Sequence, residues 1–443
     1  SFSSSETGST FQCRIDSSQP SDWQSCTSPK SFGSLSDGSH TVEVRAIDGV
    51  GNVDLSAGSY TFTIDTQAPA ATHFTRTDPA SPGSSAAPKV KGSAEAGSTV
   101  RLYKTADCTG PAAAQGTAAQ LASPGIAVSV PKNRTTAVRA TARDAAGNTS
   151  QCSSPISYVE DSKAPVKPQI AATDPASPAN FNAPKLKGTA EAGSKVRLYK
   201  TADCTGSAVA QGPAAQFASP GIAVHVGDNS TSSFHATVRD AAGNTSKCSA
   251  PIDYVEDSRA PGAPAITVVN PVSPANDNQP RLRGFAAAPS TVTIYTTPDC
   301  SGVPVVSGSS PQFHEGGLAV SVADDTTTAF RAVATDPAGN RSPCSASFSY
   351  VEDSTPPNTT ITFGPPSSTT NRRPVFRFQS SEPGSTFKCR FDSKPFGRCS
   401  GPGASHRPYV ALANGSHSFE VVATDKAGNA DATPSRRIFT VVP

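Results

Sequence analysis

The stretch RATARDAAGNTSQC at 139–152 returns 96 residues later as HATVRDAAGNTSKC and again after the same step as RAVATDPAGNRSPC. Cys108, Cys204 and Cys300 keep that spacing, and so do Cys152, Cys248 and Cys344, and Tyr158, Tyr254 and Tyr350. This period constrains the fold more than any other feature. It is too long for a helical solenoid repeat and matches a small domain with its own core. Three such units run through the middle of the chain with no net insertion between their markers.

A second unit type stands at each end. STFQCRIDS (9–17) matches STFKCRFDS (385–393), and DGSHTVEVRA (37–46) matches NGSHSFEVVA (414–423). Looser copies of the opening phrase lie at 45–52 (RAIDGVGN) and 422–429 (VATDKAGN). Joints fall at DTQAP (65–69), EDSKAP (160–165), EDSRAP (256–261) and EDSTPP (352–357), where proline ends strand pairing and stiffens the link. The expected units are 1–67, 68–163, 164–259, 260–355 and 356–443. The first is incomplete: residues 355–376, with TTITF and RPVF, have no counterpart at the front. The simplest expectation is a piece of a longer array. The sharper one is a strand supplied by another molecule.

Within a unit the apolar period is two. In STVRLYKT (98–105), Val100 and Leu102 point one way, Arg101 and Tyr103 the other; Val138, Ala140 and Ala142 alternate with Arg139, Thr141 and Arg143. The third unit places Phe234, Ala236 and Val238 inward. Only AAAQGTAAQLA (112–122) has a helical look. Its fourth-unit equivalent, PVVSGSSPQF (304–313), lacks it, so the segment is expected to be strand and loop. About seven short strands per unit, each with one apolar face, pack as two sheets. The expected fold is all-β, a tandem array of five immunoglobulin-like β-sandwiches.

The A-x-x-x-D-x-A-G-N phrase, AEAGSTVRLY (94–103), DGSHTVEVRA and the D-x-x-A-P joints resemble bacterial immunoglobulin-like (Big-type) repeats of surface adhesins and Gram-positive multi-domain exoproteins. The resemblance covers essentially the whole chain and speaks to fold more than to role. In such adhesins, aspartates at domain joints can hold calcium. The candidates that the resemblance implies here are Asp65, Asp161, Asp257 and Asp353, beside Glu160, Glu256 and Glu352. The competing reading of the acidic residues is structural: Asp48, Asp144, Asp240, Asp336 and Asp425 open a turn whose glycine accepts positive φ.

The ten cysteines fall two to a unit. Pairing within units lets each fold alone: Cys13–Cys26, Cys108–Cys152, Cys204–Cys248, Cys300–Cys344 and Cys389–Cys399. Disulfides imply an oxidising compartment, hence export to the cell surface or beyond. No C-x-x-C or zinc spacing occurs.

The search for chemistry comes back thin. HEGGL (314–318) lacks the second histidine of a zinc-protease helix, and no G-x-S-x-G, Walker loop or dinucleotide fingerprint is present. No catalytic or cofactor-binding residue is therefore expected, and the chain is not expected to be an enzyme. His40 and His417 are expected to be exposed where a strand begins. His225 and His235 occur only in the third unit. The NTS sequons at 148–150 and 244–246 fall in the turn. With 16% charged residues and a formal charge of +2, no strong field would draw in nucleic acid or anionic membrane. No apolar run reaches the ~18 residues of a spanning helix. The chain begins at Ser1, has no methionine and shows no leader pattern, as expected for a mature or excerpted segment.

These features point to an extracellular stalk, surface filament or adhesin shaft, whose partners could be further copies of itself. Two alternatives stay open. One is a binding module that holds a surface glycan or protein through SSQPSDWQS (17–25) or CSGPGASHRPY (399–409). The other is an accessory segment of a secreted enzyme.

Overall fold

The computed structural model describes residues 1–401 and 403–443; Pro402, inside the candidate loop 399–409, lies outside the described residues. The chain is all-β apart from isolated helical turns. It divides into two compact units: Ser1–Ala171 with Lys187–Ile222 and His235–Pro251, and Ala172–Leu186 with Ala223–Phe234 and Ile252–Pro443.

In the first unit, residues 73–160 make two antiparallel sheets. One has three strands, His73–Asp78, Lys89–Ser93 and Ile126–Ala127. The other runs, in spatial order, Ile156–Glu160, Arg134–Arg143, Thr99–Tyr103 and Ala114–Thr117. Ala140 lies opposite Leu102 and Ala142 opposite Val100, so the pleat sends these four side chains to the same face. All four are fully buried, and Leu102, Val100 and Ala140 share a core with Val90, Ile126 and Leu121. In the second unit, residues 265–351 repeat this topology around Leu282, Val292, Phe313 and Phe330.

Residues 359–441 use larger side chains. The small sheet Thr359–Phe363, Phe376–Ser380 and Ser405–His406 covers a five-stranded one built on Thr386–Phe391, Gly415–Thr424 and Ser435–Val441. Phe376 stacks on Phe419 with centroids 4.0 Å apart, and Phe391 and Phe439 close around it. Residues 10–64, by contrast, form one four-stranded sheet: Gln24–Cys26, Thr10–Ile15, Gly38–Ile47 and Gly58–Ile64.

The segment expected to be strand and loop departs from that expectation. In each central repeat a short strand leads directly into one helical turn, Ala118–Ala122, Ala214–Ala218 or Ser310–Glu315. Thr117 and Gln120 form a reciprocal capping box, as do Ser309 and Gln312. Pro213 supplies no such side-chain cap, yet the turn forms there too. What the three share is a large residue, Leu121, Phe217 or Phe313, with no exposure at all. Burial of that one side chain holds the turn, and the cap only helps it.

Candidate functional site

The repeated phrase builds a turn first. At Asp144, carboxylate Oδ1 accepts the N–H of Gly147 at 2.6 Å and of Asn148 at 2.9 Å, while Oδ2 accepts from Asn148 Nδ2 at 2.9 Å. Gly147 sits at φ 107°, where a side chain would be strained. Burial works against the Asp144 charge, but the donors of Asn148 and Gly147 outweigh it and hold its pKa below the ordinary value. Asp48, Asp240, Asp336 and Asp425 hold Asn52, Asn244, Asn340 and Asn429 in the same way. Two serines complete the return: Ser150 Oγ accepts the N–H of Ala142 and Ser153 Oγ that of Ala140, each at 2.9 Å.

The asparagine has a second task, which the sequence reading missed. Held by the aspartate, Asn148 Nδ2 also donates to the backbone carbonyl of Asp65, 83 positions earlier, in the preceding joint. Asn244 does the same to Asp161, Asn340 to Asp257 and Asn429 to Asp353, over 2.7–2.9 Å. In the second unit the contact widens, as Asn180 Nδ2 donates to Asn340 Oδ1 and Asn276 Nδ2 to Asn429 Oδ1. The phrase is thus both a turn and a clip that grips the strand end before it. The signal lay in the distance between A-G-N and the joint upstream, 83 residues in the three central repeats and 76 in the last. The sequon asparagines Asn148 and Asn244 have their side-chain amides fully engaged in this clip.

Asn340 is 8% exposed and sits between three partners. Asn340→Ala is expected to cost about 1 kcal/mol locally, because the half-buried carbonyl of Asp257 loses its donor and the amide of Asn180 its acceptor. Amide hydrogen exchange at residues 257–259 and 336–341 should accelerate. Unchanged protection there would show that the clip carries no stability.

The calcium candidates divide. Asp65, Asp161 and Asp257 each turn a carboxylate oxygen onto the backbone N–H two residues ahead, of Gln67, Lys163 and Arg259. Asp353 instead converges with Glu382 and Asp425, their ligand atoms all within 4.8 Å of one another. Burial first, then the charges of Asp353, Asp425 and Asp325, pushes the Glu382 carboxyl up, as expected for excess negative charge in one place. This last joint suits a hard cation in charge and donor type. The joint at Asp257 does not, since Ala287 stands where Glu382 does. The neighbouring Glu160, Glu256 and Glu352 are buried strand ends. Each accepts one backbone N–H, from Asn133, Asn229 and Asp325 in turn. The grouping of Cys389, Cys399 and His406 is no metal centre, because its two cysteines are bonded to each other.

All ten cysteines are paired: Cys13–Cys26, Cys108–Cys152, Cys204–Cys248, Cys300–Cys344 and Cys389–Cys399. In the candidate loop 17–25, Trp23 is not a free platform: the guanidinium groups of Arg14 and Arg45 lie 4.6 and 4.3 Å from its ring.

The expectation of exposed histidines at 40 and 417 is corrected. His40 is buried, with Nδ1 2.6 Å from Asp16 Oδ2 and Nε2 2.6 Å from the Ser36 carbonyl; His417 makes the matching pair with Asp392 at 3.0 Å. Each ring pins a loop to the start of a long strand, which a solvent-facing side chain would not do. The bond to Asp16 raises the His40 pKa above its ordinary 6.5, and the bond to His40 lowers that of Asp16 below 3.8. The His40 contribution is full below 6.5 and fades as pH rises through its folded value. The Asp16 contribution is present above 3.8 and fades as pH falls through its own. The pair therefore supports the fold most between these two limits. A proton NMR titration should place the His40 midpoint above 6.5, and Asp16→Asn should bring it down. A midpoint unmoved by that change would show that the pairing is absent.

No protein-family model matches the chain, and no curated protein matches it in sequence. Solved structures to which the chain is similar include tandem fibronectin-III and immunoglobulin-like domains. The three fibronectin domains of chicken CNTN1 are 10% identical, covering 62% of this chain and 98% of that one at a TM-score of 0.27. A tetra-tandem repeat in the extending region of a large adhesion protein is 16% identical, covering 80% and 95% at 0.28. The four N-terminal immunoglobulin domains of Dscam1 isoform 9.44 are 12% identical, covering 85% and 98% at 0.22.

Proposed function

We propose that this chain is an extracellular spacer of the bacterial immunoglobulin-like kind: five units in series, the first a single sheet and the others sandwiches, forming a stalk, filament or adhesin shaft without catalytic activity of its own. The observation that carries this is the clip, made at all four joints by Asn148, Asn244, Asn340 and Asn429. A chain of independent binding modules needs only a flexible linker between them. A spacer needs its joints to resist bending, and a side-chain donor reaching from one repeat to the strand end of the one before gives that resistance. Five disulfides fit the export that this reading requires.

At the last joint calcium would be held by Asp353, Glu382 and Asp425, where it would neutralise converging carboxylates. The test of the whole reading is mechanical. With the chain tethered at both ends, extension should proceed by separate unfolding steps, and Asn→Ala at all four clips should lower the bending stiffness before any step. Equal stiffness in the clip variant would refute the spacer reading. Saturable binding of a surface glycan by one isolated repeat would favour the alternative of a binding module.

A further inference from the structure

We propose that the last repeat binds a small aromatic acid, in the cavity between residues 391–398 and 406–413. The cavity holds about 370 Å³, and Pro395, Pro408, Tyr409, Val410 and Leu412 form its apolar walls. That size and lining suit a small molecule with a flat hydrocarbon body. Tyr409 and Val410 are 72% and 74% exposed, so a ring and a branched side chain stand open to solvent at the mouth. Covering them with a ligand ring removes apolar surface from water.

One buried polar group in the wall sets which part of the ligand enters first. His406 is 6% exposed, and Phe391 and Phe419 hold its ring, with centroids 5.4 and 5.6 Å away. Its Nδ1 accepts the backbone N–H of Ser400 at 2.7 Å. Burial pushes its pKa below the ordinary 6.5, so at pH 7 the ring is neutral and its single proton sits on Nε2. That Nε2–H meets no acceptor among the described residues, and the ring lines the cavity. A buried donor left unpaired is costly, and an incoming oxygen removes the cost. Charge then selects an acid. Lys394 and Arg398 line the same cavity and are exposed. The carboxylates beside them are already engaged: Asp392 with His417 and the N–H of Ser418, Glu420 with Arg390 and Arg436. The two cations are left to face a negative charge on the ligand, and the neutral His406 donor calls for an oxygen acceptor. The occupant is accordingly an aromatic ring bearing a carboxylate, with the ring against Tyr409 and Val410 and the carboxylate accepting from His406 Nε2. A sugar would leave most of its hydroxyls unpaired against prolines and leucine.

The experiment uses the full chain and 2-naphthoate, with 2-naphthamide as its neutral counterpart. Calorimetric titration at pH 7 should show saturable binding of one naphthoate per chain, and the amide should bind about tenfold more weakly or worse. Val410→Asp sets a like charge on the wall and should weaken naphthoate by about tenfold or more. Lys394→Ala combined with Arg398→Ala should weaken naphthoate and leave naphthamide unchanged. These three positions are exposed, and the thermal unfolding profile reports whether each variant stays folded. In a long-range proton–nitrogen spectrum, the His406 Nε2 resonance should shift as naphthoate saturates. Absence of saturable binding overturns the proposal. So does equal affinity for acid and amide, naphthoate binding that survives Val410→Asp, or saturation that leaves the His406 resonance unmoved.

Discussion

Replacing Cys300 and Cys344 together by alanine is expected to strip about 4 kcal/mol from the fourth repeat. The bond joins residues 44 apart, so its absence frees a long loop in the unfolded chain. For a unit of this size the transition should fall by about 15–30 °C. The same change at Cys389 and Cys399, only 10 apart, should cost less, about 3 kcal/mol. Scanning calorimetry of the whole chain would show one transition moving away from the rest in each variant. Equal shifts for the two pairs would show that loop length does not govern the effect. Restoration of the wild-type profile is not expected under any oxidant, since no free cysteine remains in either variant to re-pair.

Phe313→Ala should cost about 3–5 kcal/mol in the same repeat. Its ring is fully buried and completes the core against Leu282 and Ile294. The site also depends on a missing side chain. A Cβ on Gly284 would run into the Ala265 carbonyl and stand 2.7 Å from Cζ of Phe313. The backbone approaches closely here because the strand pair slips register between Ile266 and Val268. Gly284→Ala is therefore expected to be destabilising as well, and less than additive with Phe313→Ala, since removing the ring relieves one of the two clashes. Thermal unfolding of the single and double variants measures this. Strict additivity would mean that ring and glycine do not share the strain.

The clip, the histidine–aspartate pairs and the helical turn were not evident in the sequence, for separate reasons. Asn148 looked complete as a turn residue, because Asp144 four positions back accounts for it locally; its second partner is 83 positions away. His40 follows Asp-Gly-Ser, a polar context that suggests exposure, and only the return of the chain past Asp16 closes over it. The turn at Ser310–Glu315 was hidden by the glycine and serines before it, although Ser309 and Gln312 carry a legible capping box. The calcium candidates divide for the same reason, since which carboxylates converge depends on residues remote in the chain. The position that Glu382 fills at the last joint holds Glu95, Glu191 and Ala287 at the others, and among the described residues only at the last do the ligand atoms converge.

What the sequence determined by itself was everything set by local periodicity. The unit length, the strand alternation, the turn aspartates and the even division of cysteines all depend on residues a few positions apart, or on one motif recurring at a fixed step. Only the tertiary structure decided which atoms meet across a joint and which polar groups are closed off from water. Those outcomes depend on distances between residues remote in the chain. A hydrogen bond or a buried contact is made or lost within a few tenths of an ångström, a margin that residue order alone does not encode.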